Sequence, residues 1–471
     1  SHSRYPEDAR YVSQDEIDYL KKAPPLSINE IKDLDSLLEA IADRVSYAGN
    51  KVFGNSASIE KGDNCSDSFF VYDSHTVLSS KYVALSAYVR SGSEYIFGSS
   101  PLLRGKYLIR VIGAENLTRA FETYVTTNSS DMFFSMYCHG CSHIMFSFNQ
   151  KGKRHVIGNL ELPKERYFEL RKKLISESRE HIEKHKSFYS IFDFPPPTNE
   201  ELGMAKVPKI PRLQGSMKEI DDAFADTTRL ILGEELRPIK KYEKFLTGRV
   251  EKVTTAKSPF GNDVSYAKYF WGANAPKERM VTSEEGRETG KIHVRPEDLE
   301  GLTLEKMIEL MAPIAYYPVQ FKEGKNINTT ETVCMYHSID TYQVSDATYS
   351  KKCAYCVHMQ ECEDVFGSGV LMVGSTYSIR CYDCVNVTMC MDLDSCKNCH
   401  RCMLCHNCEG LSDCMFCFNA KSLRYAIGNV EVGKERYERI RKMIVGEMLK
   451  RIEREGDIGF DICSLGSRKK H

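Results

Sequence analysis

From Cys381 to Cys417 every third residue is cysteine or apolar: Cys381, Cys384, Val387, Cys390, Leu393, Cys396, Cys399, Cys402, Cys405, Cys408, Leu411, Cys414 and Cys417. Most residues between them are polar. A period of three belongs to none of the common elements. An α-helix turns ~100° per residue, so the stripe would smear around it. A flat strand alternates with period two, and long 3₁₀ runs are rare. Polyproline II has the period, but this stretch contains no proline to hold it. A β-solenoid of very short strands and corners fits. With about twelve residues per coil, four small side chains fill a narrow core, and stacked strands lie ~4.8 Å apart.

The pattern is written twice. Phe146-Ser147-Phe148-Asn149, Arg154 through Glu161 and Lys164-Glu165-Arg166-Tyr167 return 270 positions later as Phe416-Cys417-Phe418-Asn419, Arg424 through Glu431 and Lys434-Glu435-Arg436-Tyr437. Upstream, Tyr107, Ile109 and Arg110 match Tyr377, Ile379 and Arg380, and after a one-residue slip Phe97-Gly98-Ser99 matches Phe366-Gly367-Ser368. At the triplet positions the first copy has Val111, Ala114, Leu117, Ala120, Thr123, Thr126, Ser129, Met132, Ser135, Cys138, Cys141, Ile144 and Ser147. Such repeats are read before anything else. The expected fold class is therefore β-solenoid plus α: a tandem duplication of a narrow β-helix flanked by amphipathic helices.

The expected division is an N-terminal helical segment (1–50), a first solenoid (51–160), its C-terminal helix (161–187), a linker and helical insert (188–295), a helix of the second copy (296–319), the Cys-rich second solenoid (320–430), and a C-terminal helix with a basic tail (431–471). Ser27 and Glu30 have capping-box spacing before an apolar stripe from Ile31 to Ile41. Pro296 to Met311 is the equivalent helix, and Ser216 to Leu232 is helical within the insert. The late helices open at Pro163 and near Gly433.

Lys plus Arg total 64 and Asp plus Glu 65, a formal net charge of -1, which gives no strong nucleic-acid signal. No apolar run approaches the ~20 residues that span a bilayer, and no signal pattern opens the chain, so a cytoplasmic protein is expected. Of 18 cysteines, fourteen lie between Cys334 and Cys417. Three readings compete for them. Packing is the first, because free Cys behaves as a small buried hydrophobe and the first copy uses Ser, Ala, Thr and Val instead. The second is a thiolate site for Zn or an iron–sulfur cluster. Its candidates are Cys384, Cys390, Cys396, Cys399, Cys402, Cys405, Cys408, Cys414 and Cys417, which stacking would gather into columns twelve residues apart. The third is disulfides at i and i+6, such as Cys396–Cys402. His400 and His406 flank the run and could add nitrogen ligands to such a site, but they read first as surface residues. No nucleophile motif, P-loop or dinucleotide fingerprint is present, so no catalytic residue is assigned. Trp271 reads as a core or docking residue.

The Cys-x-x-Cys steps, a Phe-rich corner, Tyr425-Ala426-Ile427-Gly428-Asn429 and Lys434-Glu435-Arg436-Tyr437 together resemble an uncharacterised Cys-rich repeat family of candidate-phyla bacteria and archaea. Its members end a cysteine ladder with Tyr-x-Ile-x-Asn and Lys-Glu-x-Tyr. The resemblance covers about 260–455, and 51–187 less closely. Family members carry paired cysteines upstream, which implies a zinc ribbon; here Ser265 to Trp271 keeps the aromatics and has no cysteine. The resemblance implies an architecture and no activity. The leading expectation is a non-enzymatic scaffold that binds a protein partner or itself and holds no cofactor. The alternatives are a thiolate protein with Zn or an iron–sulfur cluster, and an enzyme of unknown reaction.

Overall fold

The computed structural model describes residues 5–467 apart from 21–26, 28–29, 101–102, 212–214, 269–271, 273, 349, 382–386 and 395–398. Trp271, Cys384 and Cys396 therefore lie outside the described residues. The chain divides into two compact units. The aromatic unit comprises Asn50–Arg212 and Thr254–Gln320, and the cysteine-rich unit Ser1–Gly49, Leu213–Val253 and Phe321–His471.

In the aromatic unit one nine-stranded sheet runs from Ala57–Glu60 through Phe69–Tyr72, Lys81–Ala84, Glu94–Phe97, Leu103–Thr127, Ser130–Met136, Ser142–Phe148 and Arg154–Ile157 to Leu160–Glu161. Its strands are parallel except for the last pair. Partners lie twelve or thirteen residues apart, as in Phe69↔Lys81, Lys81↔Glu94 and Met132↔Ile144. A four-stranded parallel sheet, Val52–Phe53, Asp63–Ser66, His75–Leu78 and Ala87–Val89, stands beside it. Between the sheets Cys65, Val71, Val77, Val83, Ile96, Leu108, Val111 and Leu117 form a buried core. The residue before many of these inward positions takes a left-handed backbone, as at Phe70 (φ 57°), Tyr82 (φ 56°) and Tyr107 (φ 58°).

The cysteine-rich unit has a six-stranded parallel sheet from Ile327–Thr330 to Val387–Met391 and a small one, Phe321–Glu323, Cys334–Tyr336 and Asp346–Thr348. Ser412–Met415, Arg424–Ile427 and Val430–Glu431 close it. Its narrow interior holds Cys353, Cys356, Cys362, Cys381, Cys390, Cys399, Cys402, Cys405, Cys408, Cys414 and Cys417 with Val344, Leu393 and Leu411.

The expected fold class, a tandem narrow β-solenoid, is corrected by this topology. The described residues form parallel sheets of unequal width, among them the mixed nine-stranded sheet, several small sheets and nine α-helices. Strands are far from uniform: Leu103–Thr127 stays extended for 25 residues while Val52–Phe53 spans two. A triplet rhythm fixes which side chains point inward. It does not fix strand length, how many strands share a sheet, or which helices cover it.

Helices end both units in the same way. Helix Lys164–His185 follows Pro163 and buries Tyr167, Leu170 and Leu174. Helix Lys434–Glu455 follows Gly433 and buries Tyr437, Ile440, Ile444 and Met448. The preceding Ile-Gly-Asn is a hairpin turn, with Gly158 and Asn159 at φ 59° and 64° and Gly428 and Asn429 at φ 53° and 68°. Two consecutive positive φ angles are what a tight antiparallel hairpin needs. Asn159 and Asn429 also accept the Phe148 and Phe418 N–H groups at 2.8 and 2.9 Å. A helix spans Gln14–Leu20, and the one on the first apolar stripe opens at Leu34 under an Asp33–Ser36 capping box, a few residues after the Ser27 start read from the sequence. The single helix expected over 296–311 is split. A 3₁₀ turn spans Pro296–Leu299, Gly301 sits at φ 62°, and a helix capped by Thr303 spans Leu304–Leu310.

Each unit is closed by a segment that is distant in sequence. In the cysteine-rich unit Asn419 Nδ2 donates to the Ser46 carbonyl (3.0 Å), and Glu447 accepts the Leu34 N–H (2.7 Å). In the aromatic unit Asn149 Nδ2 donates to the Tyr316 carbonyl (3.1 Å), and Glu177 accepts the Leu304 N–H (2.7 Å). The four residues of the second set are those of the first, displaced by 270 positions and exchanged between copies. The helix preceding each set of strands thus closes the other set.

Candidate functional site

The cysteines are used as hydrogen-bond donors to the backbone. Cys390, Cys402, Cys405, Cys408, Cys414 and Cys417 each point Sγ at the carbonyl two residues earlier, at 3.1, 3.3, 3.3, 3.1, 3.3 and 3.5 Å. In the aromatic unit Ser68, Ser80, Ser86, Ser135 and Ser147 donate to the same carbonyl, at 2.8, 2.8, 2.7, 2.8 and 2.7 Å. A thiol is a weak donor with a larger sulfur, so the contact is longer and the interior more apolar. Burial pushes the thiols of Cys356 and Cys405 well above the ordinary cysteine range, which keeps them protonated. The sixteen described cysteines are free thiols. Of the thiolate candidates, Cys390, Cys399, Cys402, Cys405, Cys408, Cys414 and Cys417 come together in the interior, and Cys384 and Cys396 lie outside the described residues. No group of three or more His, Cys, Asp or Glu among the described residues is arranged to hold a metal ion.

The two histidines separate. His400 is exposed, as the sequence suggested, whereas His406 is fully buried, which corrects that reading. Its Nε2 accepts the Ala48 N–H at 3.1 Å, so Nδ1 carries the proton toward Asp394 at 2.9 Å. Tyr5 donates to the same carboxylate, and Tyr47 packs its ring on the imidazole at 5.1 Å. His406 thus ties Tyr5, Tyr47 and Ala48 to the cysteine-rich strands. A hollow of about 670 Å³ nearby is lined by Arg10, Asp43, Arg44, Asn419, Lys421 and Glu431 among others, and its lining holds no histidine or cysteine.

A buried carboxylate paired with an arginine recurs in both units. Arg110 reaches Glu122 at 2.9 Å, and Arg380 reaches Asp392 at 3.3 Å. Burial pushes both carboxyls up to about 7, against the opposing pull of the arginine beside each. The sequence reading matched the two arginines and missed the acids, although both stand twelve residues further on.

The largest difference between the units lies on an outer face. Two files of side chains run side by side down the nine-stranded sheet. In one, Phe70, Tyr82, Tyr95 and Tyr107 stack with ring centroids 5.0, 4.7 and 4.9 Å apart and ring planes within 3°, 14° and 8°. In the other stand Tyr72, Ala84, Phe97 and Ile109. Stacked rings occupy one another's faces, leaving edges and hydroxyls to solvent. Phe97 and Ile109 are 42% and 46% exposed, and Leu85 beside them 64%. Lower down, Phe188 covers Phe121 and Phe133 at 5.3 and 6.0 Å, so the bare face ends near Ile109. The spacing of Phe70, Tyr82, Tyr95 and Tyr107 at twelve or thirteen residues was a legible signal that the sequence reading passed over.

In the cysteine-rich unit the counterpart of the second file is Tyr342, Ala354, Phe366 and Ile379, and Phe366 and Ile379 are 0% exposed. Helix Lys218–Leu232 and the following 239–246 cover it. The counterpart of the aromatic stack is Asp340, Lys352, Asp364 and Tyr377, mostly charged. The aromatic unit therefore replaces charge by stacked rings beside an apolar file that is left uncovered.

No helix of the described residues is long and apolar enough to cross a membrane. The resemblance to a Cys-rich repeat family rests on its residues alone: no protein-family model, no curated protein and no solved structure matches the chain.

Proposed function

We propose that the protein is a non-enzymatic interaction scaffold whose docking surface is the bare aromatic face of the aromatic unit. One observation carries the reading. Eight residues, Phe70, Tyr72, Tyr82, Ala84, Tyr95, Phe97, Tyr107 and Ile109, form an apolar surface at positions that, Tyr377 opposite Tyr107 apart, are charged or covered in the other unit. Contiguous apolar patches of this kind mark interaction sites. The choice of residues supports it as well. Left-handed positions favour Asn and Asp, which Asp340 and Asp364 supply in the other unit. Aromatic side chains there gain stacking of ~0.5–1.5 kcal/mol per pair and present area that a partner can desolvate.

A photo-crosslinking residue at Leu85 in the living source cell tests this. The expected result is a discrete protein adduct that disappears when Phe97 and Ile109 are both changed to Asp. Absence of any adduct, or an adduct indifferent to those two changes, overturns the reading.

A further inference from the structure

From the cover on the cysteine-rich unit we infer that the occupant of the aromatic face is an amphipathic helix of a partner polypeptide, carrying an aromatic residue in its apolar stripe and followed by a second aromatic. The inference rests on the docking reading above. Three contacts by which the cover grips the matching file each have an open counterpart.

The first contact is ring on ring: Phe224 of helix Lys218–Leu232 meets Phe366 edge-on, with centroids 5.1 Å apart. The counterpart of Phe366 is Phe97, exposed in the middle of the bare file. The second is backbone on glycine. A Cβ at Gly367 would stand 2.3 Å from the Leu246 carbonyl oxygen, so the cover's main chain passes directly over it. At Gly98, the counterpart, the same atom would meet only Arg110 Cγ at 4.0 Å. The third is cation on ring: Arg380 Cζ lies 4.9 Å from the Phe245 ring centre. Its counterpart Arg110 is held by Glu122 in the same way, yet its side chain remains partly exposed. Thus an aromatic socket, a glycine pass and an arginine platform recur in the same order with nothing on them.

Length agrees. The cover helix has 15 residues, ~22 Å at 1.5 Å per residue. The bare file crosses four strands, ~14 Å at 4.8 Å per strand. A helix of about four turns spans it with a turn to spare. A second copy of this chain is a poor donor, because Phe224, Phe245 and Leu246 are already buried in its own cysteine-rich unit. The recognition is a helix laid into an apolar groove, read by anchors at i, i+3, i+4 and i+7.

The test uses the full chain and a synthetic peptide reproducing its own cover, Ser216 through Gly248, with a photoreactive phenylalanine at position 224. Saturable 1:1 binding is expected, with the crosslink falling between Tyr95 and Arg110. Phe97→Asp is expected to weaken binding at least tenfold. Gly98→Asn, which keeps the left-handed backbone but fills the pass, is expected to weaken it severalfold. Circular dichroism and the native thiol count show that both variants stay folded. No saturable binding, or binding unchanged by Phe97→Asp, overturns the inference. The two proposals fail separately. Adducts at Leu85 without peptide binding remove the helix and keep the docking face. Loss of both removes both.

Discussion

The same file of residues is core in one unit and surface in the other. Tyr342, Ala354, Phe366 and Ile379 lie under helix Lys218–Leu232, whereas Tyr72, Ala84, Phe97 and Ile109 face solvent. Side-chain chemistry is nearly identical, so the difference comes from what the rest of the chain supplies. The covering segment lies between the two sets of strands and occurs once. The uncovered face has compensated in its neighbours. Where the covered unit has Asp340, Lys352 and Asp364, the bare one has Phe70, Tyr82 and Tyr95. An apolar surface left over by accident would be expected to acquire charge, as solvated faces do. This one carries stacked aromatics.

The comparison can be broken most directly at matched positions. Phe366→Ala is expected to cost about 3–5 kcal/mol, because it opens a cavity under the cover. Phe97→Ala is expected to change stability by no more than ~0.5 kcal/mol, as surface substitutions do. Urea unfolding of the two variants measures both, and equal losses would erase the distinction between the faces.

The next effect concerns the buried acids, Glu122 and Asp392. Burial raises both carboxyls to about 7 in the folded chain, whereas in the unfolded chain they titrate near 4. The folded state therefore holds protons that the unfolded state has released. Their contribution is complete below pH ~4 and is lost as pH rises to ~7, a change on the order of 4 kcal/mol for each carboxyl at about 1.4 kcal/mol per unit. Unfolding free energy measured across that window should fall with rising pH. Combining Glu122→Gln with Asp392→Asn should flatten the curve.

A smaller effect separates the interiors. Cys417 and Ser147 occupy matched positions and donate to matched carbonyls. Cys417→Ser should therefore cost only ~1 kcal/mol, with native thiols silent to a disulfide reagent until the chain unfolds. Rapid labelling of the folded protein, or stoichiometric metal by elemental analysis, would assign the sulfurs a chemistry beyond donation to carbonyls. Smallest of all is Tyr95→Asn. The loss of two stacking contacts is offset by a residue better suited to a left-handed backbone. Stability should move by less than ~0.5 kcal/mol, while the Leu85 adduct should be lost.

Much of the local structure was legible. Inward positions at every third residue, the two late helices after Pro163 and Gly433, and the helix near 216–232 all follow from spacing and capping chemistry that act within a few residues. The Ile-Gly-Asn and Lys-Glu-Arg-Tyr signatures have local reasons as well, a hairpin turn and a buried tyrosine. The fold class was misjudged because periodicity constrains side-chain direction and leaves strand length and sheet membership open. His406 was misplaced for a related reason. Tyr5 and Ala48, which pack on it and hydrogen-bond to it, come from the far end of the chain, and only Asp394, one twelve-residue step upstream, lies within reach of the repeat spacing.

The sequence alone determined which residues face inward, where the two late helices open, and that positions 270 apart occupy matching places in the two copies. Only the tertiary structure decided which strands residues 34–49 and 304–318 close, and which of two matching faces receives a cover. Spacing and capping act within a few residues, whereas the contacts Asn419–Ser46 and Asn149–Tyr316 join residues 373 and 167 positions apart, so only the folded chain brings them together.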